Sequence, residues 1–185
     1  MLGVALGLLV MTVSAGEGPS KKAVFLAAKG QFEVERLAAT ETLEVVYARN
    51  LHTHEVMPLE GPGLTADARE RFLRCWFTEE APEGIPPVLV ERILAAAHTF
   101  ESRHVRIISG FRHPKYNKML RKKGREVAKK SQHTLGHAVD FNLAGVSIKA
   151  LYPWLRKTHD GGVGVYRYSG FVHIDTGRKR TWSGS

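Results

Sequence analysis

The sequence holds a single cysteine, Cys75, in 185 residues. One thiol makes no intramolecular disulfide and supplies no cysteine-based zinc knuckle. Set at helical spacing between Phe72 and Trp76, it reads as a small buried residue. Acidic residues are scarce too, 18 against 27 lysines and arginines, which leaves a net charge of +9 and a pI near 9.8. That balance favours an acidic partner, whether nucleic acid, an anionic membrane surface or a carboxylate-rich polymer, and charge alone does not choose among them. No apolar run reaches the ~20 residues of a membrane span, so no stable span is expected. The uncharged stretch Leu2 to Val13 instead ends in Val13-Ser14-Ala15 before Gly16, the small-residue spacing of a signal-peptide cleavage site. No Lys or Arg precedes Lys21, so the basic start of such a peptide is missing. Residues 1–15 are therefore read as an export signal, with an uncleaved N-terminal anchor as the alternative. No solenoid-like period is present.

What is present is ordinary in bulk: 43% hydrophobic and 24% charged residues, enough for one domain with a real core. Residues 16–22 read as a linker. A β-rich segment follows over 23–60, with strands expected at 23–27, 32–37, 43–47 and 55–59, the last after a turn carrying His52 and His54. Those two histidines have metal-like spacing but are expected to be exposed turn residues. Over 61–185, Thr65 caps a helix from Ala66 to Trp76. Pro87 opens a second, to about Ser102, whose apolar stripe is Val88, Val90, Ile93, Leu94, Ala97 and Phe100. Pro114 starts a third, to Lys123, and Ser147 caps a fourth, to about Lys157. Strands are expected at 105–108 and 138–143, and a hairpin at 163–166 and 171–175. The sum is an α+β domain, helices packed on a small antiparallel sheet, with 23–60 folding as part of the same unit.

The chemistry concentrates in Ser131-Gln132-His133-Thr134-Leu135-Gly136-His137-Ala138-Val139-Asp140. Asp140 is a charge inside an apolar strand, costly unless paired or metal-bound. Loop-borne His133 can converge on it, and the strand Phe171-Val172-His173-Ile174-Asp175 brings a second histidine. Two imidazoles and one carboxylate, with a fourth position open for water, make up a catalytic zinc site. Magnesium-based phosphoryl chemistry asks for more carboxylates than lie nearby. Asp175, two residues past His173, points to the same strand face; it can take a proton from water or orient a neighbour. Arg112, just beyond the strand at 105–108, can hold a substrate carboxylate or polarise a carbonyl.

Several motifs together resemble the exported YcbK-like murein endopeptidases of peptidase family M15, relatives of the LAS-type zinc peptidases. They are Ser109-Gly110-Phe111-Arg112, Pro114 with Asn117 and Met119 to Arg121, Val127 through Asp140, Gly161 to Tyr166, Phe171 to Gly177 and the ending Arg180-Thr181-Trp182. The likeness spans roughly residues 43–182. It implies one Zn²⁺ held by His133, Asp140 and His173. It further implies peptidoglycan cross-links as substrate, with Arg112 on the substrate side; Ser109 and Tyr166 are expected there too, and His137 either there or as a plain surface histidine, since it departs from the family's usual residue. A monomer in the periplasm or cell envelope is expected. Many LAS peptidases carry their proton-transferring residue three positions before the last ligand, where this chain has Gly170; the role is assigned instead to Asp175. Which cross-link is cut stays open. A D,D-carboxypeptidase, a non-catalytic wall-binding protein and a nucleic-acid-binding protein are the alternatives. The last is weakened by the lone Tyr116 in the basic run from Arg112 to Lys130. Arg121, Lys122, Lys123, Arg125, Lys129 and Lys130 can draw the protein to a polyanionic wall or simply be solvated.

Overall fold

A computed structural model describes residues 45–123 and 127–184. The expected leader, the linker, the strands at 23–27 and 32–37 and part of the basic loop lie outside the described residues. In chain order the elements are β1 (Tyr47–Asn50), β2 (Val56–Pro58), α1 (Ala66–Phe72), α2 (Pro87–Thr99), β3 (His104–Ser109) and α3 (Pro114–Lys122). A 3₁₀ turn (Gln132–Leu135) leads into β4 (Ala138–Leu143), α4 (Ile148–Thr158), β5 (Gly162–Tyr166), β6 (Phe171–Asp175) and β7 (Arg180–Gly184). The seven strands make one sheet in the order β2-β1-β3-β4-β6-β5-β7. The α+β class expected from sequence is what forms. The sheet is mixed, however: β1 runs parallel to β3 and β5 parallel to β7, while the other neighbours are antiparallel.

Local signals explain most of the boundaries. Thr65 Oγ1 accepts from Ala68 N at the start of α1, and Ser147 Oγ from Lys149 N at the start of α4, each satisfying an amide the helix leaves without a partner. Helix α1 stops four residues short of the expected end, because Asn50 Nδ2 donates to Phe72 O (3.0 Å) and the chain turns there. Helix α2 stops at Thr99, since Glu101 takes φ = 51° and Ser102 N closes back on Ala97 O. Its buried stripe is Leu89, Val90, Ile93, Ala96 and Ala97; Val88 faces solvent. Strand β1 begins at Tyr47, later than the pattern predicts. The 3₁₀ turn and β7 carry no periodic signal strong enough to be expected.

The core lies against one face of the sheet. Helix α2 packs on β3 and β4, and α4 on β5 and β6. Val105, Ile107, Val139, Phe141, Val172 and Ile174 alternate along their strands, and Leu89, Ile93, Leu151 and Leu155 meet them from the helices. Because side chains alternate across a strand, this arrangement commits Asp140, His173 and Asp175 to the opposite face. Cys75 is fully buried. No helix among the described residues is long and apolar enough to cross a membrane.

Candidate active site

Two rungs across the sheet build the site. On the first, Ser109 pairs with Asp140, Asp140 with His173, His173 with Gly164, and Gly164 with Trp182. On the second, Ala138, Asp175, Gly162 and Arg180 are partners in succession. Directly opposed side chains on one face lie close enough to interact, so β4 and β6 set Asp140 and His173 side by side. A register shift between Ile107 and Ser109 puts two β3 residues against one on β4. Such a bulge re-aims the strand end, here into Gly110-Phe111-Arg112. Arg112 N then donates to His133 O (2.9 Å), tying that loop to the 3₁₀ turn.

His133, Asp140 and His173 are all buried, with one ligand atom from each within 4.8 Å of the others. Their neighbours fix which atoms face inward. His133 Nδ1 is 2.7 Å from Gly110 O, which only accepts, so Nδ1 carries the hydrogen and Nε2 presents a lone pair. His173 Nε2 is 3.0 Å from Asp175 Oδ2, so its lone pair sits on Nδ1. Those two nitrogens are 3.2 Å apart, and Asp140 Oδ1 lies 3.2 Å from the first and 2.8 Å from the second. Three potential ligand atoms thus converge, an arrangement that either a bound metal ion or a proton on His173 Nδ1 relieves. In the metal-free site burial works against a charged Asp140, but its interactions with His133 and His173 outweigh it and hold its carboxyl far below the usual range. Desolvation lowers the pKa of His133, keeping it neutral. For His173 burial is outweighed by hydrogen bonding to Asp140 and Asp175, and its pKa rises. A proton and a metal ion thus compete for the same place. Two imidazole nitrogens and a carboxylate oxygen fit zinc in a three-ligand catalytic arrangement.

Asp175 is fully buried behind His173. Its Oδ2 meets His173 Nε2 and Arg180 Nη2 (2.7 Å), and its Oδ1 accepts from Arg180 Nη1 (3.0 Å), Gly162 N (3.2 Å) and Gly177 N (2.8 Å). Burial raises its pKa, but these bonds outweigh it and depress the carboxyl. Gly162 leaves the space this requires: a Cβ there would lie 2.5 Å from both Asp175 Oδ2 and Arg180 Nη1.

A cleft of about 730 Å³ opens over the cluster, walled in part by Arg112, Lys130, Tyr166, Arg180 and Trp182. The Trp182 ring centroid is 5.0 Å from that of His173, and its Nε1 donates to Tyr166 Oη (3.2 Å). Arg112 Nη2 reaches Asp140 Oδ2 at 3.6 Å and Ser109 Oγ at 3.3 Å, while Arg112 Nε is buried without a partner. Of the residues expected on the substrate side, Arg112 and Tyr166 line this cleft. Ser109 braces Arg112 from behind, and His137 lines a separate depression with Leu135 and Pro86. Gly170 sits at φ = 72° in the β5–β6 turn and brings no side chain to the site. Neither Arg180 nor Trp182 stands out in the sequence as a site residue. Their signal lies only in cross-strand register, which a linear pattern does not display.

The cleft and its His133, Asp140, His173 cluster, which could bind a metal ion, belong to a peptidase. Residues 31–182 match the model of an M15 peptidase family described as peptidoglycan L,D-endopeptidase MepK, and the chain belongs to that family. It is 34% identical over 151 residues to the peptidoglycan L,D-endopeptidase MepK of Escherichia coli K12, covering 78% of this chain and 82% of that one. It is 42% identical over 80 residues to the probable peptidoglycan L,D-endopeptidase MepK of Haemophilus influenzae, 43% of each chain. No solved structure gives a significant match.

Proposed function

We propose that this protein is an exported zinc endopeptidase that hydrolyses peptide cross-links of peptidoglycan in the cell envelope. The observation that carries the reading is the convergence of three potential ligand atoms, with tautomers fixed by Gly110 and Asp175, on the floor of an open cleft. His133 Nε2, His173 Nδ1 and Asp140 Oδ1 would hold the ion. Zinc bound there supplies a Lewis acid that lowers the pKa of water to ~7 and polarises the scissile carbonyl.

The chain's own residues do the rest. Arg112 directs its guanidinium into the cleft, where it binds a substrate carbonyl or carboxylate and stabilises charge on the tetrahedral oxygen. The acyl–nitrogen bond breaks, water's oxygen stays with the new carboxylate, and its two protons end on the released amine and in solvent. We assign Asp175 a positioning role instead of the proton-carrying one expected from sequence. Five donors already occupy its two oxygens, and its low pKa disfavours accepting a proton. It fixes His173's tautomer, as ligand histidines generally require of a carboxylate or carbonyl behind them. Lys130 and Arg112 at the cleft favour an anionic peptide.

The L,D specificity in the relatives' names supports the cross-link joining two diaminopimelates over the D-Ala to diaminopimelate link. The test is to incubate zinc-loaded protein and a His133→Ala variant with purified sacculi rich in both cross-links and resolve the muropeptides. Disappearance of the L,D-linked dimers with the intact enzyme alone is expected. Loss of terminal D-Ala with dimers untouched would show a carboxypeptidase, and no change at all would overturn the reading.

A further inference from the structure

Away from the cleft, four rings form a connected cluster. His52 stacks on Trp76 (centroids 4.8 Å, 13° between planes) and Phe77 on Tyr116 (5.1 Å, 18°). Trp76 meets Tyr116 edge-on at 5.4 Å and Phe77 at 6.0 Å. These rings are not core: Trp76 is 41% exposed and Phe77 48%. Exposed apolar patches of this kind on otherwise well-packed proteins mark binding surfaces.

The cluster is held rigidly. Trp76 and Phe77 ride on a turn closed by Cys75 N to Glu80 O (2.9 Å) and Glu79 N to Cys75 O (2.7 Å), with Cys75 itself fully buried. Asn50 ties the other leg to it, accepting from His52 N (3.0 Å) and donating to Phe72 O (3.0 Å). Arg74 pairs with Glu55 at 2.7 Å across the same two legs. Partial burial lowers the pKa of His52, so its ring is neutral. A preorganised platform loses little entropy on binding.

The chemistry around the rings narrows the occupant. Charges of both signs flank them: exposed Glu79 and Glu80 on the turn, and Lys115 and Lys118 on α3 beside Tyr116. Glu79 and Glu80 beside the rings oppose the uniformly basic field that an anionic lipid surface or a nucleic acid calls for. Four rings also fall well short of the ~20–30 residues a side of a stable protein interface. Flat neutral rings suit the C–H faces of pyranose sugars, which pack on aromatic faces through dispersion and the negative π cloud. Backbone hydrogen bonds also fix the platform relative to the cleft. Leu73, three residues before Trp76, accepts from Phe111 N (2.7 Å), and the next residue back, Gly110, holds His133.

We propose that His52, Trp76, Phe77 and Tyr116 form a sugar-binding platform for the amino-sugar strand that carries the peptide cut in the cleft. This rests on the reading above for the identity of the polymer. The probe is a peptide-free N-acetylglucosamine tetramer, titrated calorimetrically into the full zinc-loaded chain. Binding is expected, and Trp76→Ala or Phe77→Ala should weaken it about tenfold, the loss typical of a buried aromatic anchor. Turnover of a glycan-free cross-linked peptide dimer should stay unchanged in both variants, while KM on intact sacculi rises. No binding of the tetramer, or equal binding by both variants, would overturn the platform. So would loss of dimer turnover in both variants, which would make the rings structural. So would Trp76-dependent binding to anionic phospholipid vesicles in place of the sugar. Dimer turnover by the unaltered protein reports separately on the cleft, so the two readings can fail independently.

Discussion

Asp175 and Gly164 show how single residues decide what the site can do. A carboxylate two positions past a ligand histidine suits a proton carrier or an orienting partner equally well on paper. Its five donors, one of them His173 Nε2, favour the second. Asp175→Asn should therefore weaken zinc binding about 10- to 100-fold, the usual loss when a carboxylate behind a ligand histidine is changed. Competition with a chromogenic chelator measures this. Unchanged zinc affinity together with lost turnover would return the proton-carrying role to Asp175. Gly164 acts by absence: a Cβ there would lie 2.5 Å from Trp182 Cε2. Gly164→Ala should push the indole off His173 and break its bond to Tyr166. The expected readout is a blue-shift or red-shift of tryptophan emission with reduced turnover; an unaltered emission spectrum and full activity would show that the indole has room to yield.

Among the elements, β7 has the largest effect for its length. Arg180 and Trp182 belong to it, and it reaches the site by pairing parallel with β5. Arg180 neutralises Asp175 with two hydrogen bonds and also lies over the Trp182 ring at 4.9 Å. Arg180→Met keeps much of the packing volume and removes the charge. It leaves Asp175 buried with one strong partner fewer, so stability should fall, by less than the ~3–5 kcal/mol of a fully buried pair because Arg180 is 34% exposed and three other donors remain. Thermal unfolding of the zinc-free variant checks this, and a Tm within a degree of the parent's would show the pair to be dispensable. The bulge at the end of β3 has the complementary task of turning Arg112 and Gly110 toward β4. Neither β7 nor the bulge stands out in the sequence. Each depends on which strand lies next to it.

At the scale of the whole molecule, one face of a mixed sheet packs against helices and the other carries the chemistry. Burying Asp140 and two histidines together is unfavourable without a cation, so metal loading and folding should be coupled. Addition of zinc at 100 times its Kd should stabilise the folded chain by ~2.7 kcal/mol, seen as a Tm increase that a chelator reverses. A Tm insensitive to zinc in the parent and in His133→Ala alike would show that the cluster does not hold the ion.

Much of the candidate site is legible in the sequence because its histidines and carboxylate sit inside strong local patterns. An apolar strand interrupted by Asp140 and a hairpin carrying His173 announce themselves through period-two alternation, and caps and prolines mark the helices. His133, Asp140, His173 and Arg112 were named on those grounds together with the family likeness. By itself, then, the sequence determined the α+β class, most helix starts and the set of groups offered to a metal. Tertiary structure alone decided the parallel pairings at both flanks, the clustering of four rings at the surface and the tautomers of His133 and His173. It also set the partners of Asp175. Hydrophobic period and capping are local and can be read along a chain; register, hydrogen-bond partners and the space left beside a glycine are properties of neighbours distant in sequence.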